Sequence, residues 1–141
     1  MFFNIFKKKK KRIDKPIELS KEDLQWNKMW DMWTTAEIES PYLELMDYIG
    51  GVNNGGHHCH LDNTYNRTDV KLKEYVDTLL SIIPEPLKSN LETAYKTYMI
   101  NPDGELGDEN SDILDECDTV YYNNEELLNQ ILRERAKKIE L

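Results

Sequence analysis

Four consecutive residues, His57, His58, Cys59 and His60, hold every histidine of this chain and one of its two cysteines. Imidazole nitrogens and thiolates are the usual ligands of zinc and its neighbours, so metal binding is the first chemistry they suggest. On a helix His57 and His60 stand three residues apart and share a side. Cys117 or Asp62 would have to be brought in by the fold to complete a site. The spacing matches no zinc signature, and adjacent residues on a helix point in different directions. The competing reading is that the imidazoles pack and hydrogen-bond around a turn. No strand-linked glycine-rich phosphate loop, nucleophile elbow or His-Glu-x-x-His pair occurs, so no catalytic residue and no cofactor is assigned.

Carboxylates are the second source of chemistry. Residues 103–118 contain eight acids and no base: Asp103, Glu105, Asp108, Glu109, Asp112, Asp115, Glu116 and Asp118. A general acid–base pair needs two carboxyls converging in a pocket with pKa values pushed apart, and a surface run does not supply that. The plain reading of such a run is solubility. The sharper one is phosphate imitation, because carboxylates on a rigid helix reproduce the close charge spacing of DNA well enough to enter a basic groove. Asp103, Glu105, Asp108, Glu109, Asp112, Asp115 and Glu116 are therefore the candidate partner-binding residues.

The elements that must carry these groups read as helices throughout. Ser20-Lys21-Glu22-Asp23 resembles a capping box, and Trp26, Met29, Trp30 and Trp33 follow at i, i+3, i+4 and i+7, the stripe of a core-facing helix ending near Ile38. Ser40 and Pro41 start a second helix that runs to about Ile49. Asn53, Asn54, Gly55 and Gly56 then read as a helix-breaking turn, followed by a short helix over His57–Asp62. Asp69 is the expected cap of a fourth helix burying Leu72, Tyr75, Val76, Leu79 and Ile83. A fifth spans Pro86 to about Ile100, and a final helical pair carries Ile113, Leu114, Cys117, Val120 and Tyr121, then Leu127, Leu128, Ile131 and Leu132. No stretch alternates like a strand. The expectation is an all-α single domain of about six helices, with a glycine-rich turn between helices two and three.

The segment Val52-Asn53-Asn54-Gly55-Gly56, preceded by Pro41-Tyr42-Leu43-Glu44-Leu45-Met46-Asp47-Tyr48-Ile49 and followed by Asn63, resembles the signature of the bacterial DNA-mimic-protein family. The similarity extends diffusely over residues 20–138. It departs at Gly51, where the family usually has an acid, and at His57, Cys59 and His60, where it has bulky or amide residues. The resemblance implies a helical domain in which Asn53, Asn54, Gly55, Gly56 and Asn63 form a structural turn. It also implies a partner that binds DNA.

Charge points the same way. Of 18 basic and 27 acidic residues, seven and one fall in residues 1–15, which leaves 11 and 26 in residues 16–141, a net of −15. A body so negative repels nucleic acid and attracts basic proteins. The expected division is a basic tail, 1–15, and an acidic helical domain, 16–141. Residues 1–12 pair a short aromatic head with six bases, too short an apolar run to span a bilayer; weak contact with an anionic membrane and a solvated or folded-back tail both fit. Two cysteines make no disulfide framework, which suits a cytoplasmic protein. Three functions stay open: a non-enzymatic acidic interaction protein imitating DNA for a DNA-binding regulator, an immunity or antitoxin-type inhibitor of a basic toxin, and a metal-binding protein or metal-dependent enzyme centred on His57, His60 and Cys117.

Overall fold

Ser20 opens the helical order. Its Oγ accepts from the Asp23 N–H at 3.1 Å, which satisfies one of the donors left free at the start of α1 (Lys21–Thr34). The computed structural model describes residues 18–141; the basic tail 1–15 and the segment 1–12 weighed for membrane contact lie outside the described residues. Four more helices follow: α2 (Tyr42–Tyr65), α3 (Leu72–Leu80), α4 (Leu87–Tyr98) and α5 (Asp108–Ala136). Among the described residues there is no strand, so the protein is an all-α single domain. No described helix is long and apolar enough to cross a membrane.

Two helices dominate. The 29-residue α5 packs against α4, α2 and α1, while α2 also contacts α3 and α4. Their shared interior holds Met29, Leu45, Met46, Tyr48, Val52, Leu61, Leu79, Leu91, Tyr98, Leu114, Tyr121 and Leu128, all at most 2% exposed. Side chains of this size, each removed from water, supply the main folding force of a domain this small.

The count and several boundaries differ from those expected. Five helices replace about six, because the final pair is one continuous α5 and the segment over His57–Asp62 forms the second half of α2, beyond a kink at Gly56. The predicted four-residue turn narrows to a kink at one residue. Asn53, Asn54 and Gly55 remain within α2, exposed, and only Gly56 leaves helical geometry, at φ 82° and ψ 177°. Helix α1 stops at Thr34, short of Ile38, with Ala36 at φ 56° reversing the chain. Asp69 does not cap α3. Lys71 holds that position without a side-chain bond, and Asp69 instead makes a two-pronged pair with Arg67 at 3.0 and 2.8 Å. The tryptophan stripe is half-buried: Met29 is fully enclosed, but Trp26, Trp30 and Trp33 pack edge to face along the rim of the core.

Candidate functional site

At the Gly56 kink the α2 backbone loses its own partners and α5 replaces them. The His57 N–H, first donor of the second half of α2, donates to Asp118 Oδ1 at 2.8 Å. His57 Nδ1 lies 2.7 Å from the same oxygen, and His57 Nε2 lies 2.6 Å from the Tyr48 hydroxyl. A carboxylate can only accept, so His57 carries its proton on Nδ1 and Tyr48 donates to Nε2. The Tyr122 hydroxyl donates to the Val52 carbonyl at 3.1 Å, and Asn53 Nδ2 to Glu125 Oε2 at 2.7 Å. Burial pushes the Asp118 carboxyl up, but the two hydrogen bonds from His57 outweigh it and leave it below its usual range. Asp118 thus works as a helix cap supplied from another element, where a negative charge meets the positive end of a helix.

The four-residue histidine cluster is split. His57 and His60 are buried; His58 and Cys59 are exposed. His60 Nε2 meets the Tyr75 hydroxyl at 2.8 Å, and Tyr75 in turn donates to the Glu44 carbonyl at 3.3 Å. That chain of donors places the His60 proton on Nε2 and leaves Nδ1 as a bare lone pair. Burial, with the charge of Arg67, pulls the His60 imidazole down to about 4, so it is neutral at pH 7. Burial pushes the Cys117 thiol up to about 11, which keeps it protonated. His57, His60 and Cys117 are not gathered into a ligand set: among the described residues no group of three or more His, Cys, Asp or Glu side chains could hold an ion.

The acids separate into two classes. Those of α2 and its approach are engaged internally. Glu39 takes a two-pronged bond from Arg135 at 2.7 and 2.9 Å, which brings its carboxyl down to about 2; Glu44 accepts from Ser40 at 2.7 Å, and Asp47 from Trp33 Nε1 at 2.7 Å. The seven candidate partner-binding acids are all exposed, and none takes part in an ion pair among the described residues. Asp108, Glu109, Asp112, Asp115 and Glu116 share one face of α5, within about 120° at 100° per residue and over about 12 Å of helix axis. Asp103 and Glu105 lie in the loop leading into α5, where Asp103, at φ 59°, accepts from Asn66 through Oδ1 at 3.0 Å. Asp118, eighth acid of the run, belongs to the kink.

Comparison with protein-family models, with curated proteins and with solved structures returns no match. The site therefore has to be read from its own geometry. The hydrogen-bonding roles of Tyr48, Tyr75 and Glu125, and the second role of Asp118, are absent from the sequence reading. Nothing local in the sequence marks them, because each acts on a residue 9 to 72 positions away. Asn63, expected in the turn, stands exposed on the second half of α2 and receives no turn contact; its Nδ2 points to Cys59 Sγ at 3.5 Å.

Proposed function

We propose that this protein is a non-enzymatic interaction protein whose α5 face imitates the phosphates of DNA and occupies the basic groove of a DNA-binding protein. The observation that carries the reading is the unpaired acidic face of α5. Five carboxylates over about 12 Å give one charge per about 2.4 Å, against about 1.7 Å for both strands of duplex DNA. They stand on a helix fixed by packing along most of its length, so little ordering entropy is lost on binding. Three arginines of the body are engaged away from this face. Arg133 lies 4.4 Å above the Trp26 ring, Arg135 holds Glu39, and Arg67 holds Asp69, so the field at the start of α5 stays negative. The resemblance of Val52–Gly56 to the DNA-mimic family supports the same partner class.

The test immobilises the full chain, exposes it to a lysate at low salt, and elutes with duplex DNA before a salt gradient. Proteins that DNA displaces from the wild type, and that fail to bind Glu109→Gln/Asp112→Asn/Asp115→Asn/Glu116→Gln, are the expected result. Retention that DNA does not compete, and that survives the four neutralisations, removes the proposal. A toxin recovered in the DNA-displaced fraction would make the same face that of an immunity-type inhibitor.

A further inference from the structure

Beside the kink the α2 backbone is bare at Gly50 and Gly51, and the space left is a groove of about 450 Å³. Its walls include Trp33, Asp47, Asn54, His60, Asn63 and Arg67. A Cβ at Gly51 would collide with the His60 imidazole, so the glycine is what lets that ring sit against the groove. Two acceptors here have no donor. His60, only 9% exposed, gives its Nε2–H to Tyr75, and its Nδ1 makes no hydrogen bond among the described residues. Asp47 uses Oδ1 for the Trp33 N–H, but its Oδ2 has only the Arg67 guanidinium at 4.0 Å, too far for a hydrogen bond.

We propose that this groove is a socket for one guanidinium group, the arginine side chain of a protein partner. Guanidinium offers five N–H donors in a plane and no acceptor, which suits the two unfilled acceptors, Asp47 Oδ2 and His60 Nδ1. Its N–H groups would meet Asp47 Oδ2 and His60 Nδ1, the side chains of Asn54 and Asn63 line the same groove, and the indole of Trp33 offers a surface on which such a plane stacks. Because His60 stays neutral at pH 7, it does not repel the incoming charge. Arg67 borders the groove but already forms its two-pronged bond with Asp69, so it is not needed as a ligand. The socket is built from α1, α2 and the residues after α2, and it stands whether or not α5 imitates phosphate.

The experiment uses the full chain labelled with 15N, in the presence of EDTA, titrated with Nα-acetylarginine N-methylamide. NMR follows the His60 ring nitrogens and the Trp33 Nε1–H. Saturable shifts at both are expected, with the citrulline analogue, equal in shape but uncharged, at least about tenfold weaker. Asp47→Asn keeps an oxygen for Trp33 and should weaken binding about tenfold. Arg67→Gln removes a like charge at the rim and should tighten binding about threefold. Weakening by Arg67→Gln would mean that the groove takes an anion and would overturn the proposal. So would equal binding of the citrulline analogue, or the absence of saturable shifts in the wild type. The four neutralisations on α5 should leave this titration unchanged even where they abolish capture of a basic protein.

Discussion

Gly56 and Gly50 sit six residues apart in the same helix and should respond oppositely to alanine. Gly56 combines φ 82° and ψ 177°, a conformation that essentially only glycine adopts, with a Cβ position 2.6 Å from Asp118 Oδ2. Gly56→Ala should cost more than about 2 kcal/mol, since backbone strain and loss of the Asp118 cap act together. At Gly50 an added Cβ would meet only Trp33 at 3.9 Å, ordinary contact, so Gly50→Ala should gain up to about 1 kcal/mol from helix propensity. Urea denaturation of the two variants checks the pair, and equal losses at both sites would show that the kink is not what Gly56 serves. His60 gives a second test at this scale. Its folded pKa of about 4 lies below the ordinary 6.5, so between those values the unfolded chain binds a proton that the native state does not. Stability should therefore fall as pH drops from 6.5 towards 4, by up to about 3 kcal/mol at 1.36 kcal/mol per unit. Asp118, with its carboxyl held low by His57, adds a further loss at lower pH, as it is protonated. In His60→Gln the decline between pH 6.5 and 4 should be much flattened, read from urea midpoints at half-unit steps.

At the scale of the helix, the acids of α5 have two jobs that mutation can separate. Asp108 and Glu109 occupy its first turn, behind a Gly107 cap that offers no side chain, so their charges also complement the helix dipole. Asp108→Asn/Glu109→Gln should cost about 0.3–1 kcal/mol per site. Asp112→Asn/Asp115→Asn/Glu116→Gln lie beyond that turn and should change stability by no more than about 0.5 kcal/mol, while removing most of the retention on a basic partner. A triple variant that loses stability in proportion to binding would mean that these acids act through the fold. This split was partly legible beforehand. The run of acids and the apolar spacing of Leu114, Cys117, Tyr121 and Leu128 both follow helical periodicity, and that much sequence fixes an exposed acidic face over a buried one. The all-α class followed in the same way from the stripes around Met29, Val76 and Leu91. What could not be read was the fate of the glycines. Asn53-Asn54-Gly55-Gly56 carries every local mark of a turn, yet only Gly56 leaves helical geometry, and Asp118, Tyr122 and Glu125 satisfy the backbone and Asn53 around that kink from 61 to 72 residues away. Local propensity sets where a helix is weak; tertiary partners decide how narrow the break is. The partners of the histidine cluster were hidden for the same reason, since contiguity in sequence said nothing of Tyr48 and Tyr75, which draw His57 and His60 inward and leave His58 and Cys59 outside.

For the molecule as a whole the controlling quantity is net charge and where it lies. The full chain carries −9, but residues 16–141 alone carry −15, so the first fifteen residues hold a net of +6. At physiological salt the field of an exposed charge falls off over about 8 Å, so these bases weaken the attraction of the body only when they come near it, and at about 30 Å, in 0.01 M salt, they weaken it from further away. If a basic protein is drawn to the acidic face by electrostatic steering, deletion of residues 1–15 should raise its association rate several-fold at low ionic strength, with little change in dissociation. The advantage should shrink as sodium chloride rises and nearly vanish by about 0.5 M. Association kinetics of the full and truncated chains against one captured partner, across a salt series, measure this directly. An unchanged rate at low salt would mean that long-range charge does not bring the partner in, and recognition would then have to reside in short-range contacts such as the groove at Asp47 and His60.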